Sequence, residues 1–432
     1  MKRSIDGRRS MGGNARQGVV VAVAAAMLLL AACSTSKAAN GSATTSTSAS
    51  GSSSTGSSLL GPIARATGSP IQIGLISDGI DGVNDASIEG RVAAATAKYL
   101  NERRNGIDGH VVNIVECDEQ GDPAKGTDCG NQMVQQKVAA VLVNQASVTE
   151  NAWVPVHAAH IPMMIYSTQN AAIEADTQST FLLADPIASA IRVPIAVAQQ
   201  VHTKKVAAVV IDVPQATDLY RVAAPPLFKQ AGVQLQVIPV PLGTPDVTPQ
   251  VQALASNGTG EVFVVGNDAL CISIFNGLRA VGYTGKIAAI TQCITNATLK
   301  AVPASQLKGM VISAPAPMGV NDPSLDLYNA VAKTYGSNID LTSVVGVGMF
   351  TTMMALADSV QNAKEPLTPA NIISAIKSAP KLTLQASGGL TFQCNGKADP
   401  ASPAVCSAGV LTATLDDKGN PVSYKASQPA TG

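Results

Sequence analysis

From Ile71 onward, apolar residues come in short, mostly β-branched runs separated by longer stretches where they recur at helical spacing. IQIGLI (71–76), VVNIVEC (111–117), VAAVLV (138–143) and MMIYS (163–167) make a first series of runs. VAAVVI (206–211), VQLQVIPV (233–240), EVFVVG (261–266) and KIAAIT (286–291) make a second. Such runs predict buried strands, whereas Gly90 to Asn105, with Val92, Ala95 and Tyr99 at helical spacing, predicts a helix. Strands alternating with helices fold as βαβ units with a parallel sheet, here in two copies. TFLLAD (180–185) and GMVISAP (309–315) read as crossovers between the copies. Helices around 323–335, 344–362 and 368–378 follow, the last with Thr368 as its N-cap. Short strands GGLTFQC (388–394), VLTATLD (410–416) and PVSY (421–424) finish the chain. The pattern predicts a two-lobed α/β protein, lobe 1 built from 71–182 and 314–380, lobe 2 from 183–313 and 381–425.

The polar residues are patterned too. VAAVLV gives way at once to Asn144, Gln145, Ala146, Ser147, Thr149 and Glu150. In open parallel sheets ligands bind beyond the carboxyl ends of the strands, and this segment holds that position. The corresponding places carry Ser77, Asp78 and Asn84 after the first run, and Ser167, Thr168, Gln169 and Asn170 after the fourth. The second series supplies Asp212, Thr217, Asp218 and Tyr220, then Asn267 and Asp268, then Thr291 and Gln292. Singly, these residue types serve equally well as helix caps and loop solvation. As a set they predict a ligand cleft between two facing sheet edges.

Composition narrows the class. Charged residues are 13% of the chain and aromatics 3%, which suits buried strands under Ala-rich helices and leaves no basic patch for nucleic acid. The folded region has no G-x-S-x-G, HExxH, P-loop or G-x-G-x-x-G, and the chain has four histidines, so an enzyme is not expected. His157 and His160 share one helical side without an acidic or cysteine companion nearby in sequence, which predicts a surface or satisfied pair and no metal site. No cofactor is expected.

The first 18 residues hold Lys2, Arg3, Arg8, Arg9 and Arg16 against Asp6, and VVVAVAAAMLLLAA (19–32) follows. That apolar stretch is short for a membrane span and has the length of a signal-peptide core, so 1–32 reads as a signal peptide. Leu30-Ala31-Ala32-Cys33 resembles the bacterial lipobox, which implies lipidation of Cys33 and anchoring to the outer face of the cytoplasmic membrane. Residues 33–70, dominated by Ser, Thr, Gly and Ala, read as a disordered tether. Ser34-Thr35-Ser36-Lys37 within it matches SxxK without any partner motif. Six further cysteines, an even count in an exported chain, argue for disulfides. Fifteen connectivities are possible; chain order suggests the local pairs Cys117–Cys129, Cys271–Cys293 and Cys394–Cys406.

The order of elements resembles the branched-chain amino acid (leucine/isoleucine/valine) binding proteins of ABC importers. IGLISDGIDG with EGRVAAATAKYLNERRNGIDGHVV, ECDEQGDPAKGTDC, IPMMIYSTQN, VAAVVIDVPQATDLYRVAAPPLFKQAGV and VFVVGNDALCISIFNGLRAVGYTGKI follow that family in sequence, from about residue 70 to 425. The resemblance implies a type I periplasmic binding fold: two Rossmann-like lobes with parallel sheets, joined by crossover hinge strands, closing on a small solute for a membrane permease. A monomer is expected. The binding positions it carries over are Gln145, Ala146 and Ser147, then Ser167 to Ala171, Tyr220 and Gln292; Asp78, Asn84, Asp218 and Asn267 add polar groups at the same edges. Gln292 stands where amino-acid-binding members carry the acidic partner of the ammonium, Ala171 where a threonine is common, and Asn84 where an aromatic is frequent. Glutamine suits an amide or hydroxyl better than a buried ammonium. The expected function is capture of a small polar solute (an amino acid, an amide or similar) for import; the alternative is a ligand-sensing surface lipoprotein signalling to a membrane partner.

Overall fold

The computed structural model describes residues 59–80 and 85–428; Cys33, the signal segment and Asn84 lie outside the described residues. The first part of the fold runs β1 (Gly68–Ser77), α1 (Ile88–Arg103), β2 (His110–Asp118), α2 (Pro123–Gln135), β3 (Ala140–Val143), α3 (Thr149–Ala158), β4 (Met163–Ile165) and β5 (Thr180–Leu182). These strands form a five-stranded sheet in the order β2-β1-β3-β4-β5. All are parallel, with Ile76 opposite Cys117 and Val143, and Val143 opposite Ile165, so the carboxyl ends line up along one edge.

The second part runs α4 (Val193–Gln200), β6 (Lys205–Ile211), α5 (Ala224–Gln230), β7 (Gln234–Val240), β8 (Glu261–Val265), α6 (Asp268–Ala280), β9 (Lys286–Ala289) and β10 (Val311–Ala314). Then come α7 (Asp326–Tyr335), α8 (Val344–Ser359), α9 (Pro369–Ser378), the β11 (Leu382–Thr383) and β12 (Thr391–Phe392) pair, β13 (Val410–Leu415) and β14 (Pro421–Ser427). The second sheet is ordered β14-β13-β10-β9-β8-β6-β7. Its β7-β6-β8-β9-β10 portion is parallel and repeats the order of the first sheet, while β13 and β14 add an antiparallel edge.

The strands are buried on both faces, which is why the sequence shows runs rather than alternation. Ile73, Leu75, Leu142 and Met164 enter one core with α1, α7 and α8, while Ile76, Val141, Val143 and Ile165 enter another under α2 and α3. The second sheet divides likewise: Val209, Val262 and Val264 pack under α6, and Val206, Val210 and Phe263 under α4 and α5. The three disulfides are those suggested by chain order: Cys117–Cys129, Cys271–Cys293 and Cys394–Cys406. Among the described residues no helix is long and apolar enough to cross a membrane.

Two predicted boundaries move. The tether was expected to reach residue 70, but Leu60 is buried in the first core, and Ala64 and Ala66 donate to the carbonyls of Glu102 and Asn101 at 2.9 and 2.8 Å. The segment from 381 to about 408 was grouped with lobe 2 because its short strands run on into VLTATLD. It packs instead on the first sheet. Leu384, Leu390 and Phe392 enter the first core, and Leu182 at the edge strand donates to Ala404 and accepts from Cys406. His157, expected to lack an acidic neighbour, lies 3.3 Å from Asp176 and stacks on Trp153; the fold supplies a partner that sequence distance hid.

Candidate functional site

At the carboxyl edge of the first sheet, a cavity of about 190 Å³ opens beside the ends of β3 and β4. Asn144 and Gln145 line it from the loop after β3, and Tyr166 from the residue after β4. Pro315 and Ala316, just beyond β10, close one side, and Val344, Val345, Val347, Gly348 and Thr351 of α8 close another. No charged side chain is among these residues.

Each polar lining group has a defined state. Tyr166 donates to the Pro315 carbonyl at 3.3 Å, and burial raises its phenol to about 12, so it is neutral at physiological pH. Thr351 Oγ1 is 2.9 Å from the carbonyls of both Val347 and Gln385, so its proton is committed and its lone pairs remain. The first N–H groups of a helix have no intrahelical partner. Ser343, the N-cap of α8, takes the Gly346 N–H on its hydroxyl at 3.2 Å and the Val347 N–H on its carbonyl at 3.1 Å. The Val344 and Val345 N–H groups have no protein partner among the described residues. The cavity wall thus offers amide N–H, amide carbonyl and phenol groups set in aliphatic surface.

Three buried carboxyl groups underlie this edge. Asp78, at the end of β1, receives the Ser147 N–H at 2.7 Å and the Ser147 hydroxyl at 3.0 Å. Glu119, at the end of β2, receives the Val148 N–H at 2.6 Å. Glu89, in the first turn of α1, accepts from Asn144 Nδ2, whose amide also donates to the Val345 carbonyl at 3.2 Å. All three residues are fully buried, and one oxygen each of Glu89 and Glu119 has no partner among the described residues. Burial pushes both glutamates up to about 7; hydrogen bonds from the loop oppose the shift, and the neighbouring Asp78 adds to it. The polar segment that follows Val143 is therefore mostly an anchor for buried carboxyl groups. Asn144 can approach α8 only because residue 348 is glycine: a Cβ there would sit 2.1 Å from Asn144 Oδ1.

Of the residues expected at the site, Gln145 lines the cavity, while Asp78 and Ser147 meet each other beneath it. Ala146 packs against the core under α2 and α3. Ser167 and Thr168 are half-buried next to Tyr166, and Gln169 is exposed. Asp218, Asn267 and Gln292 are exposed beyond the carboxyl ends of β6, β8 and β9; Asn267 caps α6 by accepting from Leu270 N–H at 3.0 Å. Tyr220 is a correction. Expected to cover the ligand, it is fully buried in the core under α4 and α5, its hydroxyl donating to the Ala190 carbonyl. A tyrosine after a strand does not reveal which way its helix will turn it. The sequence reading passed over Tyr166, though it lies in the MMIYS run, and the start of α8. The signal there was VVGVGMF, two glycines in a helix that would otherwise exclude them. Among the described residues, no group of three or more His, Cys, Asp or Glu is placed to hold a metal ion.

Similarity to known proteins fits this geometry. A family profile described as periplasmic binding protein matches residues 70–404. Among curated proteins, none matches the sequence. Among solved structures, the branched-chain amino acid substrate-binding protein LivJ of Streptococcus pneumoniae, in complex with isoleucine, is similar at 16% identity and TM-score 0.54, over 83% of this chain and 100% of that one. An ABC transporter solute-binding protein of R. palustris, in complex with 4-hydroxybenzoate, is similar at 18% identity and TM-score 0.56, over 83% and 98%. The leucine-binding protein LivK of Thermotoga maritima gives 16% identity and TM-score 0.53 over 83% and 99%. With parallel strands in one order in both sheets, a cavity at a sheet edge where loops converge, and a family profile matched over 70–404, the chain belongs to the periplasmic binding protein family.

Proposed function

We propose that this chain captures a small solute that presents an uncharged amide or hydroxyl group and a branched apolar part to the first sheet, and delivers it to a membrane permease. The observation that carries the reading is the cavity itself: aliphatic walls, Asn144, Gln145 and Tyr166 as polar groups, and no charged side chain. A serine equivalent to Ser147 would be the expected clamp for a carboxylate, but its N–H and hydroxyl are both given to Asp78. A ligand carboxylate at that spot would face Asp78, Glu89 and Glu119 without a compensating cation, which is unfavourable in a buried setting. Isoleucine and 4-hydroxybenzoate, bound in two structural neighbours, both carry a carboxylate, so the solute in this reading differs from both in lacking one at the first edge. Gln292 and Asp218, exposed at the second edge, close over the solute in this reading. Cys33 carries the lipid that holds the exported domain near the membrane.

The test is a thermal-shift screen that sets isovaleramide and related neutral amides and alcohols against L-isoleucine and 4-hydroxybenzoate. A neutral amide at about 100 times its Kd should stabilise the protein by about 2.7 kcal/mol. Stabilisation by the two carboxylates with none by neutral compounds would overturn the assignment of solute class.

A further inference from the structure

Asn144, one of the two polar loop residues that line the cavity, depends on a buried carboxyl group. Asn144 gives its amide to Glu89 and to the Val345 carbonyl, and a backbone carbonyl can only accept, so the Asn144 nitrogen must face that side. Its two amide hydrogens are then spent. What remains for a solute is the Oδ1 atom, held at the Gly348 wall of the cavity. The next residue, Gln145, is held at its carbonyl by the Asp78 N–H at 3.1 Å.

We infer that Glu89 is a positioning residue of the solute site: by holding the Asn144 amide, it fixes the first edge as a hydrogen-bond acceptor and selects solutes that bring an N–H or O–H donor. The inference rests on reading the cavity as the solute site. Glu89 does not reach the solute; it acts through Asn144. Bonds to an ionised acceptor are about twice as strong as neutral ones, and a donor polarised by a carboxylate leaves its own carbonyl a better acceptor.

The charge on Glu89 is therefore coupled to the site. After β1 it faces Asp78, which also faces Glu119 after β2, with Glu116, Asp118 and Arg91 further out at the β2–α1 boundary. From α7 the Tyr328 hydroxyl approaches the same helix start near Gly346, without a hydrogen-bond partner among the described residues. The first three turns of α8, from Val344, hold no charged residue, and neither does the loop after β3; the exposed Glu150 follows at the start of α3. No cation among these neutralises Glu89 directly, so burial lifts it to about 7 and small pH changes alter its charge.

The experiment is calorimetric titration of wild type and Glu89→Gln with isovaleramide and with N,N-dimethylisovaleramide, which keeps the carbonyl but has no donor. Wild type should prefer the primary amide by about tenfold, the worth of one committed hydrogen bond. Its affinity for that amide should fall several-fold between pH 8 and pH 6. Glu89→Gln should lose the pH dependence and most of the preference, because a neutral amide no longer fixes which way Asn144 points. A variant that keeps both the preference and the pH profile overturns the inference, even if its melting temperature changes. Should neither amide bind wild type, the solute-class proposal fails, and Glu89 is judged on the ligand-free protein. The Asn144 side-chain amide signals, assigned through Asn144→Ala, should titrate near pH 7 in wild type by nuclear magnetic resonance. Signals that ignore pH between 5.5 and 8.5 overturn the positioning role.

Discussion

The two sheets share one strand order but use their buried charge in opposite ways. On the first sheet, Asp78, Glu89 and Glu119 sit at the carboxyl edge and are bonded by Ser147, Asn144 and Val148, so the loop above them is held before any solute arrives. On the second, Asp212, Asp218 and Gln292 stand exposed at the carboxyl edge, and the buried carboxyl is Glu261, at the amino end of β8. Neither Glu261 oxygen has a partner among the described residues, and Lys286, opposite it on β9, bonds the Gly309 carbonyl instead. A carboxyl placed under a loop gives that loop its shape. The same group at the far end of a strand can change only stability. In the proposed reading the first edge is held in advance, and the second is left to close on the solute.

The largest expected effect compares the disulfides that brace each sheet. Cys117–Cys129 closes 12 residues and ties the end of β2 to α2; Cys271–Cys293 closes 22 and ties α6 to the turn after β9. Each should contribute about 3 kcal/mol through the unfolded chain, the longer loop slightly more. Paired Cys→Ala variants followed by urea unfolding should show similar losses. If Cys117→Ala/Cys129→Ala weakens solute binding far more than its partner variant does, the prepared edge depends on that brace; equal binding losses would blur the distinction between the edges.

Next is Gly348→Ala. The added methyl would lie 2.1 Å from Asn144 Oδ1, and both backbone and loop are tightly held there. Overpacking of this kind costs about 1–3 kcal/mol. Binding should weaken at least tenfold, because the methyl displaces the one atom that Asn144 keeps for the solute. Retention of wild-type affinity by calorimetry would show that Asn144 is a loop anchor and nothing more.

Glu261→Gln tests the other half of the comparison. Burial holds this carboxyl well above its ordinary value of 4.5, so the folded chain keeps a proton that the unfolded chain releases. The stability it contributes is complete below pH 4.5 and is lost as pH rises toward the folded value. Glu89 and Glu119 act with the same sign between 4.5 and about 7. From pH 5 to pH 8 the variant should gain on wild type by about 1–3 kcal/mol, the range for an unsatisfied buried polar group, with solute affinity unchanged. An unchanged pH profile of unfolding would mean that Glu261 finds a partner in solution.

Much of the architecture was legible because strands buried on both faces leave continuous apolar runs: each of the eight runs of the two series became a strand. The site was legible only by position. Asp78 and Ser147 were expected to face a solute, but a sequence does not show that they bond each other. Tyr220 was misplaced because the direction of the chain after β6 is set by packing on α4, on the other side of the strand, which no local pattern shows. The start of α8 arrives after the chain has crossed to the second sheet and returned, about 200 residues beyond Asn144. No local pattern could join them, although the glycines of VVGVGMF marked a close approach of some kind.

The smallest effect belongs to the adaptable edge. Gln292 is exposed in a short turn after β9, bonded to nothing among the described residues, while the neighbouring Thr291 is tied to the Ser313 carbonyl at 2.8 Å. If the second edge closes on the solute, the Gln292 amide gains one hydrogen bond to an uncharged group, worth about 0.5–1.5 kcal/mol. Gln292→Ala should then weaken binding by several-fold to tenfold and leave stability alone, since the exposed side chain bonds nothing among the described residues. Gln292→Glu should favour a solute carrying an ammonium group over a neutral one. The same truncation at Gln145, on the prepared edge, should disturb the cavity wall even without solute. Calorimetry on Gln292→Ala and Gln145→Ala separates the two cases. Equal affinity losses with equal losses of stability would mean that both edges are built in advance, whereas wild-type affinity in Gln292→Ala would place the second edge's contacts elsewhere, with Asp218 the next residue to change.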